Sequence, residues 1–157
     1  MEESKLNELM EIEAAELSKI FVGEVEPLVQ VLKAHLYTEN FLEKYILVSL
    51  PRGDKLIENG NLSYHHKLLI CEASEAIPDD LVSSLRNLNK IRNKFAHQLD
   101  MEISETDVLR VGSPLGSSFT KLKKKDNVGN HQRLFSSLLV SICTRLSVLY
   151  YVLEHNK

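Results

Sequence analysis

Apolar residues recur at spacings of three and four along most of the chain and nowhere show a run of strand-like alternation, so the pattern predicts helices and no sheet. Leu6, Leu9, Ile12, Leu17 and Ile20 outline an amphipathic helix over residues 4–21, which Gly23 ends. Pro27 suits the first turn of a second helix running to about Leu50, with an expected buried side of Leu28, Val31, Leu32, Leu36, Phe41, Leu42, Tyr45 and Ile46. The Pro51-Arg52-Gly53-Asp54 cluster reads as a stop. After the Asn59-Gly60-Asn61 turn, Ser63 reads as the cap of a helix through Ala76, and Ile77-Pro78-Asp79-Asp80 opens a fourth helix from about Asp79 to Leu99. Ser104 and Asp107 mark a short helical turn to Val111, and Gly112 to Ser118 reads as a flexible loop leading into a run of lysines. The last helix, from about Asn130 to Glu154, carries Leu134, Leu138, Ile142, Leu146, Leu149 and Leu153 on one stripe. The expected fold is all-α: one domain over residues 1–157, an antiparallel bundle of about four to five main helices.

Composition narrows the class. Hydrophobic residues make up 43% and charged residues 26%, which excludes a disordered or low-complexity chain. The longest uninterrupted apolar stretches fall far short of the roughly 20 residues of a membrane span, and Glu2 and Glu3 follow Met1 where a secretory signal would be basic and then apolar. No membrane partner is expected, and the expected compartment is the cytoplasm. Cys71 and Cys143 each sit in an apolar helical pattern, as reduced core thiols do. The net charge of −3 is unevenly spread: residues 1–26 carry eight acids against Lys5 and Lys19, whereas residues 119–133 carry Lys121, Lys123, Lys124, Lys125 and Arg133 against Asp126. The lysine run is a candidate phosphate-holding surface, or simply a solvated face.

The fourth helix carries the chemistry. At ~100° per residue, Leu81, Leu85, Leu88, Phe95 and Leu99 fall near one line, and Arg92 falls on the same line. An unpaired cation there is costly, so Arg92 requires a carboxylate such as Glu39 or Glu43, a cleft, a second subunit or an anionic ligand. Arg86, Asn89, Lys90, Asn93 and His97 form a polar stripe on the other side. Arg92 and His97 are five residues apart and ~140° out of phase, so one ideal helix does not aim both at one point. Wrapping of the arginine, distortion of the helix or a symmetric partner would be needed to join them.

Arg92-Asn93-Lys94-Phe95-Ala96-His97 resembles the signature of the HEPN superfamily (higher eukaryotes and prokaryotes nucleotide-binding domain): an arginine, a polar residue, a few variable residues and a histidine. Leu62-Ser63-Tyr64-His65-His66-Lys67-Leu68 and Leu88-Asn89-Lys90-Ile91 resemble the branch of small helical proteins related to mannitol operon repressors, so the similarity spans about Glu39 to Asp100. The resemblance implies a HEPN-like bundle and a metal-independent endoribonuclease of toxin or defence type, a homodimer with both motifs lining one cleft. RNA cleavage through its own 2′-hydroxyl needs a base, an acid and a cation on the phosphate. Histidine as a type exchanges protons near neutral pH, and arginine offers phosphate a rigid fork. The implied roles are His97 for the protons, Arg92 for the scissile phosphate and Asn93 for orienting one of them. Arg86, Lys90, Lys121, Lys123, Lys124 and Lys125 are the expected RNA-binding residues. RNA, with transfer RNA one candidate, and an antitoxin or regulatory protein are the expected partners. HEPN toxins paired with nucleotidyltransferase antitoxins often carry a tyrosine two residues after the histidine; Leu99 stands there, so control through that tyrosine is not implied.

Other chemistries find little support. His65-His66 and the His35, Glu39 pair lack a third ligand at a diagnostic spacing, so they read as surface or partly buried histidines, and no metal or cofactor is expected. No glycine-rich phosphate loop or nucleophile elbow is visible. The alternative function is a non-catalytic interaction module or transcriptional regulator that uses the same helix for folding and dimerisation.

Overall fold

The computed structural model describes residues 3–23, 26–98, 100–125 and 129–156. Among the described residues the regular structure is entirely helical: α1 (Glu3–Phe21), α2 (Pro27–Ser49), α3 (Gly53–Asn59), α4 (Tyr64–Ala73), α5 (Asp79–His97), α6 (Glu105–Gly112), a 3-10 turn (Ser113–Leu115), α7 (Ser117–Lys125) and α8 (His131–His155). Local chemistry sets several of these ends. Pro27 begins α2, where its missing N–H costs nothing. The Ser63 hydroxyl accepts from His66 N–H at the start of α4. Ser104 and Asp107 close a reciprocal capping box on α6, and Asn130 caps α8 by accepting from Gln132 and Arg133.

The helix α8 is the axis of the fold. It buries Phe135, Leu138, Leu139, Ile142 and Leu146 against α1, α2 and α6, while α7 lies along another side. The second core seam joins α2, α4 and α5, with Leu42, Leu68, Leu81, Leu85 and Leu88 fully buried. Both cysteines are free and buried; burial pushes the Cys71 thiol up to about 12 and raises that of Cys143 too, so neither is a ready nucleophile. By length and composition α8 is also the one helix among the described residues apolar enough to cross a membrane, although half of its most apolar window is buried inside the fold.

The stop read at Pro51 to Asp54 stands, since α2 ends at Ser49, but a helix the pattern did not show, α3, starts within the cluster at Gly53. Three expectations need correction. The segment from Gly112 to the lysine run is not a flexible loop. Gly112 packs against the Phe119 ring where a Cβ would collide, and Gly116, at φ +59, reverses the chain into α7. Phe119 is buried, so the lysines lie on an anchored helix. On α2 the buried side is Val31, Ala34, His35, Thr38, Phe41, Leu42, Tyr45 and Ile46. Leu28, Leu32 and Leu36, four residues apart, instead form an exposed stripe because α8 covers one side of α2 and α4 and α5 cover the next. On α1, Ile12 and Ile20 are likewise exposed, and Leu17 and Phe21 make the buried contact with the core. The expected burial of Leu99 lies outside the described residues.

Candidate functional site: the alpha5 motif and the polar seam beneath it

The buried face of α5 ends at Phe95. Leu81, Leu85 and Leu88 are fully enclosed, Ile91 and Phe95 nearly so, and Asn93, Lys94, Ala96 and His97 are exposed. Arg92 falls on the buried line by angle, but it lies in the last turns, where the helix leaves the core, and it is half-buried. The expected ion pair of Arg92 with Glu39 or Glu43 is not made. Lys67 from α4 takes both carboxylates, with Nζ 2.8 Å from Glu39 and 2.6 Å from Glu43. Glu39 and Glu43 are four residues apart on α2, so one ammonium bridges them. Burial pulls the pKa of Lys67 down, but its hydrogen bonds to the two glutamates outweigh that and hold it above its ordinary value.

The arginine keeps one side-chain hydrogen bond, donated by Nη1 to Asn93 Oδ1 at 3.3 Å. A neutral amide leaves the charge of Arg92 uncompensated and most of its five N–H donors free. The histidine of the motif, His97, is exposed at the end of α5 and has no hydrogen-bond, ion-pair or ring partner among the described residues. No hydrogen bond, ion pair or ring contact joins Arg92 to His97 within the protomer.

Sequence reasoning missed what lies under Arg92. His35 on α2 is 7% exposed; its Nε2 is 3.0 Å from Asn89 Oδ1, its ring stacks on Tyr64 at 4.2 Å, and its Nδ1 is 3.9 Å from Glu39. Tyr64 in turn meets the Thr38 hydroxyl at 2.9 Å. With Asn89 Oδ1 as acceptor, Nε2 carries the proton of the neutral ring. Burial lowers the pKa of His35; Asn89 and Glu39 oppose this, and the charges of Arg92 and Lys67 add to it. The one signal in the chain is the His35, Glu39 pair at a spacing of four, and the histidine of that pair is buried. His65 and His66 are exposed, as that reading had it. Among the described residues no group of three or more His, Cys, Asp or Glu is arranged to hold a metal ion.

The polar stripe of α5 is therefore two regions rather than one face. Arg86 is held by Glu72 at 2.7 Å and Asn89 by His35, whereas Lys90, Asn93 and His97 face solvent. Arg86 has a carboxylate to satisfy it and is the weakest of the expected RNA contacts. Lys121, Lys123, Lys124 and Lys125 are exposed on α7, with Lys123 over the Phe119 ring at 5.0 Å. The helix α7 packs on α8 and the 3-10 turn, and Lys123 borders a groove with Glu105 and Leu109 of α6. No family model, curated protein or solved structure matches the chain.

Proposed function

We propose that the chain is a metal-independent endoribonuclease of the HEPN toxin or defence type, a cytoplasmic homodimer with a HEPN-like antiparallel bundle. The observation that carries this reading is Arg92: a half-buried residue whose side chain, among the described residues, hydrogen-bonds only to the neutral Asn93, while Glu39 and Glu43 are already bound to Lys67. Such a group suits a phosphate that arrives from outside. In this account Arg92 holds the scissile phosphate and Asn93 fixes its fork. His97 moves the protons as the 2′-hydroxyl attacks and the 5′-oxygen leaves. Lys90 and the α7 lysines contribute sequence-independent attraction that salt weakens.

The separation of Arg92 and His97 on one helix favours a cleft built from two copies, in which the arginine of one protomer works with the histidine of the other. The exposed Leu28, Leu32 and Leu36 stripe lies beside the seam that holds the motif helix and offers apolar area for that contact. A protein partner that covered the same cleft would silence it, as an antitoxin does.

The test is to incubate purified protein with total RNA and with transfer RNA in excess chelator, beside Arg92→Ala and His97→Ala. Cleavage by the wild type alone, leaving 2′,3′-cyclic phosphate ends or their hydrolysis product, is the expected result. If wild type and His97→Ala behave alike, or if chelator abolishes activity, the reading fails. One observation favours a second reading, a non-catalytic interaction module or regulator: His97 lacks an orienting partner within the protomer. The same experiment then shows no cleavage by any variant.

A further inference from the structure

The charged cluster around His35 has no role in the reaction above. Glu39 and Glu43 from α2, Lys67 from α4 and Arg92 from α5 make two negative and two positive groups, with the His35 ring among them. Asn89, which meets that ring, stands three residues before Arg92 on α5, so the two side chains leave the helix on the same side. Tyr64 of α4 stacks on the ring and stays protonated, because burial raises its pKa.

The two nitrogens of the ring are placed differently. Nε2 donates to Asn89 Oδ1 at 3.0 Å, so the bare nitrogen of the neutral ring is Nδ1, which faces Glu39 Oε2 at 3.9 Å. A proton added there points at a carboxylate, and the side chain keeps 10% exposure through which solvent can deliver it. Burial opposes that proton, Asn89 and Glu39 favour it, and the charges of Arg92 and Lys67 oppose it.

Charge balance links His35 to whatever Arg92 holds. With the imidazole neutral, the two carboxylates and the two cations cancel. A phosphodiester on Arg92 leaves this partly buried cluster one charge negative, and a proton on His35 restores neutrality. The anion also offsets the repulsion by which Arg92 resists that proton. We propose, resting on the reading of Arg92 as a phosphate site, that His35 is a positioning residue of that site and takes up a proton when the phosphate binds. In both states its Nε2–H holds Asn89 and so the motif end of α5; in the charged state the ring also balances the anion. Linkage is reciprocal, so the site holds phosphate more tightly where His35 is protonated.

The probe is a 2′-O-methyl oligonucleotide, whose phosphodiesters keep their charge across the pH range and which has no 2′-hydroxyl to cleave. The imidazole carbon shifts of each histidine are followed against pH in the intact chain, with and without it. At saturation the His35 titration is expected to rise by about half a pH unit or more, with about a threefold gain in affinity on acidification through it. In Arg92→Gln the probe is expected to leave that titration in place. His35→Gln, whose amide still donates to Asn89 but does not titrate, is expected to bind the probe as wild type does well above the His35 titration and to gain about threefold less on acidification. A His35 titration unmoved by a probe that shifts the amides of Arg92 and Asn93 overturns the proposal and leaves the reading of Arg92 standing. So does a His35 shift that persists in Arg92→Gln. A probe that moves neither amide removes both. Coupling of probe and proton in a protein that cleaves no RNA keeps the proton-linked anion site and discards the nuclease.

Discussion

Lys67 and Arg92 are two cations on one seam of α2, α4 and α5, and they are treated in opposite ways. Lys67 is nearly enclosed and sits between Glu39 and Glu43. Arg92, on α5, is more open and, among the described residues, hydrogen-bonds only to the Asn93 amide. The difference teaches which charge is structural. Removing Lys67 would strand two carboxylates, whereas removing Arg92 would strand nothing, so only the arginine is available to a ligand.

Substitutions at the two cations and at His97 separate their roles. The largest expected effect is on cleavage. A missing proton shuttle or phosphate clamp costs on the order of 100-fold or more, so Arg92→Ala and His97→Ala should each lose at least that much while keeping the helical circular-dichroism spectrum. Next comes stability. Stripping one partner from a buried pair costs about 3–5 kcal/mol, but the Glu39 and Glu43 side chains keep 27% and 36% exposure. Lys67→Met is therefore expected to cost about 2 kcal/mol in urea unfolding, after discounting for solvent. Arg92→Met should stay within about 0.5 kcal/mol of wild type. Equal losses for the two would erase the distinction.

The smallest effect is the pH dependence of His35. Its pKa is lowered by burial, so between the folded value and the unfolded 6.5 the unfolded chain binds more protons. The stability it contributes is full above pH 6.5 and declines as pH falls through that window. Asp80 is held low chiefly by Arg145, and Asp107 is lowered by Ser104 and Lys94 against burial; both lose their contributions only in the carboxylate range, at more acidic pH. His35→Gln should flatten the stability profile just below pH 6.5 and leave the more acidic part in place. A wild-type profile with no slope below pH 6.5 contradicts the burial of a neutral imidazole.

The parts of the fold that were legible in the chain are those written in local chemistry. The caps at Ser63 and at Ser104 with Asp107, the proline at the head of α2 and the apolar line of α5 from Leu81 to Phe95 stand where the pattern put them. The α7 helix was not legible, because glycines, a proline and serines describe a loop until Phe119 is known to pack on Gly112. The apolar pattern of α2 did not distinguish covered leucines from the uncovered Leu28, Leu32 and Leu36, since coverage depends on where other helices lie. At the candidate site Arg92, Asn93 and His97 stand out through the resemblance of their hexapeptide to the HEPN signature, and α5 carries them in its last turns. Their surroundings were not legible, because His35 and Lys67 come from helices remote in sequence, and the carboxylates offered to Arg92 belong to Lys67.

In the proposed enzyme Arg92 and His97 act together although one helix turns them apart, so each active cleft draws them from two copies. Mixing the Arg92→Ala and His97→Ala proteins under conditions of subunit exchange tests this directly. Random exchange places about half of the dimers in the mixed state, where one arginine and one histidine remain on different protomers. RNA cleavage, absent from either variant alone, is expected to return on mixing to a substantial fraction of the wild-type rate. A mixture that exchanges subunits yet stays as inactive as its parents contradicts it.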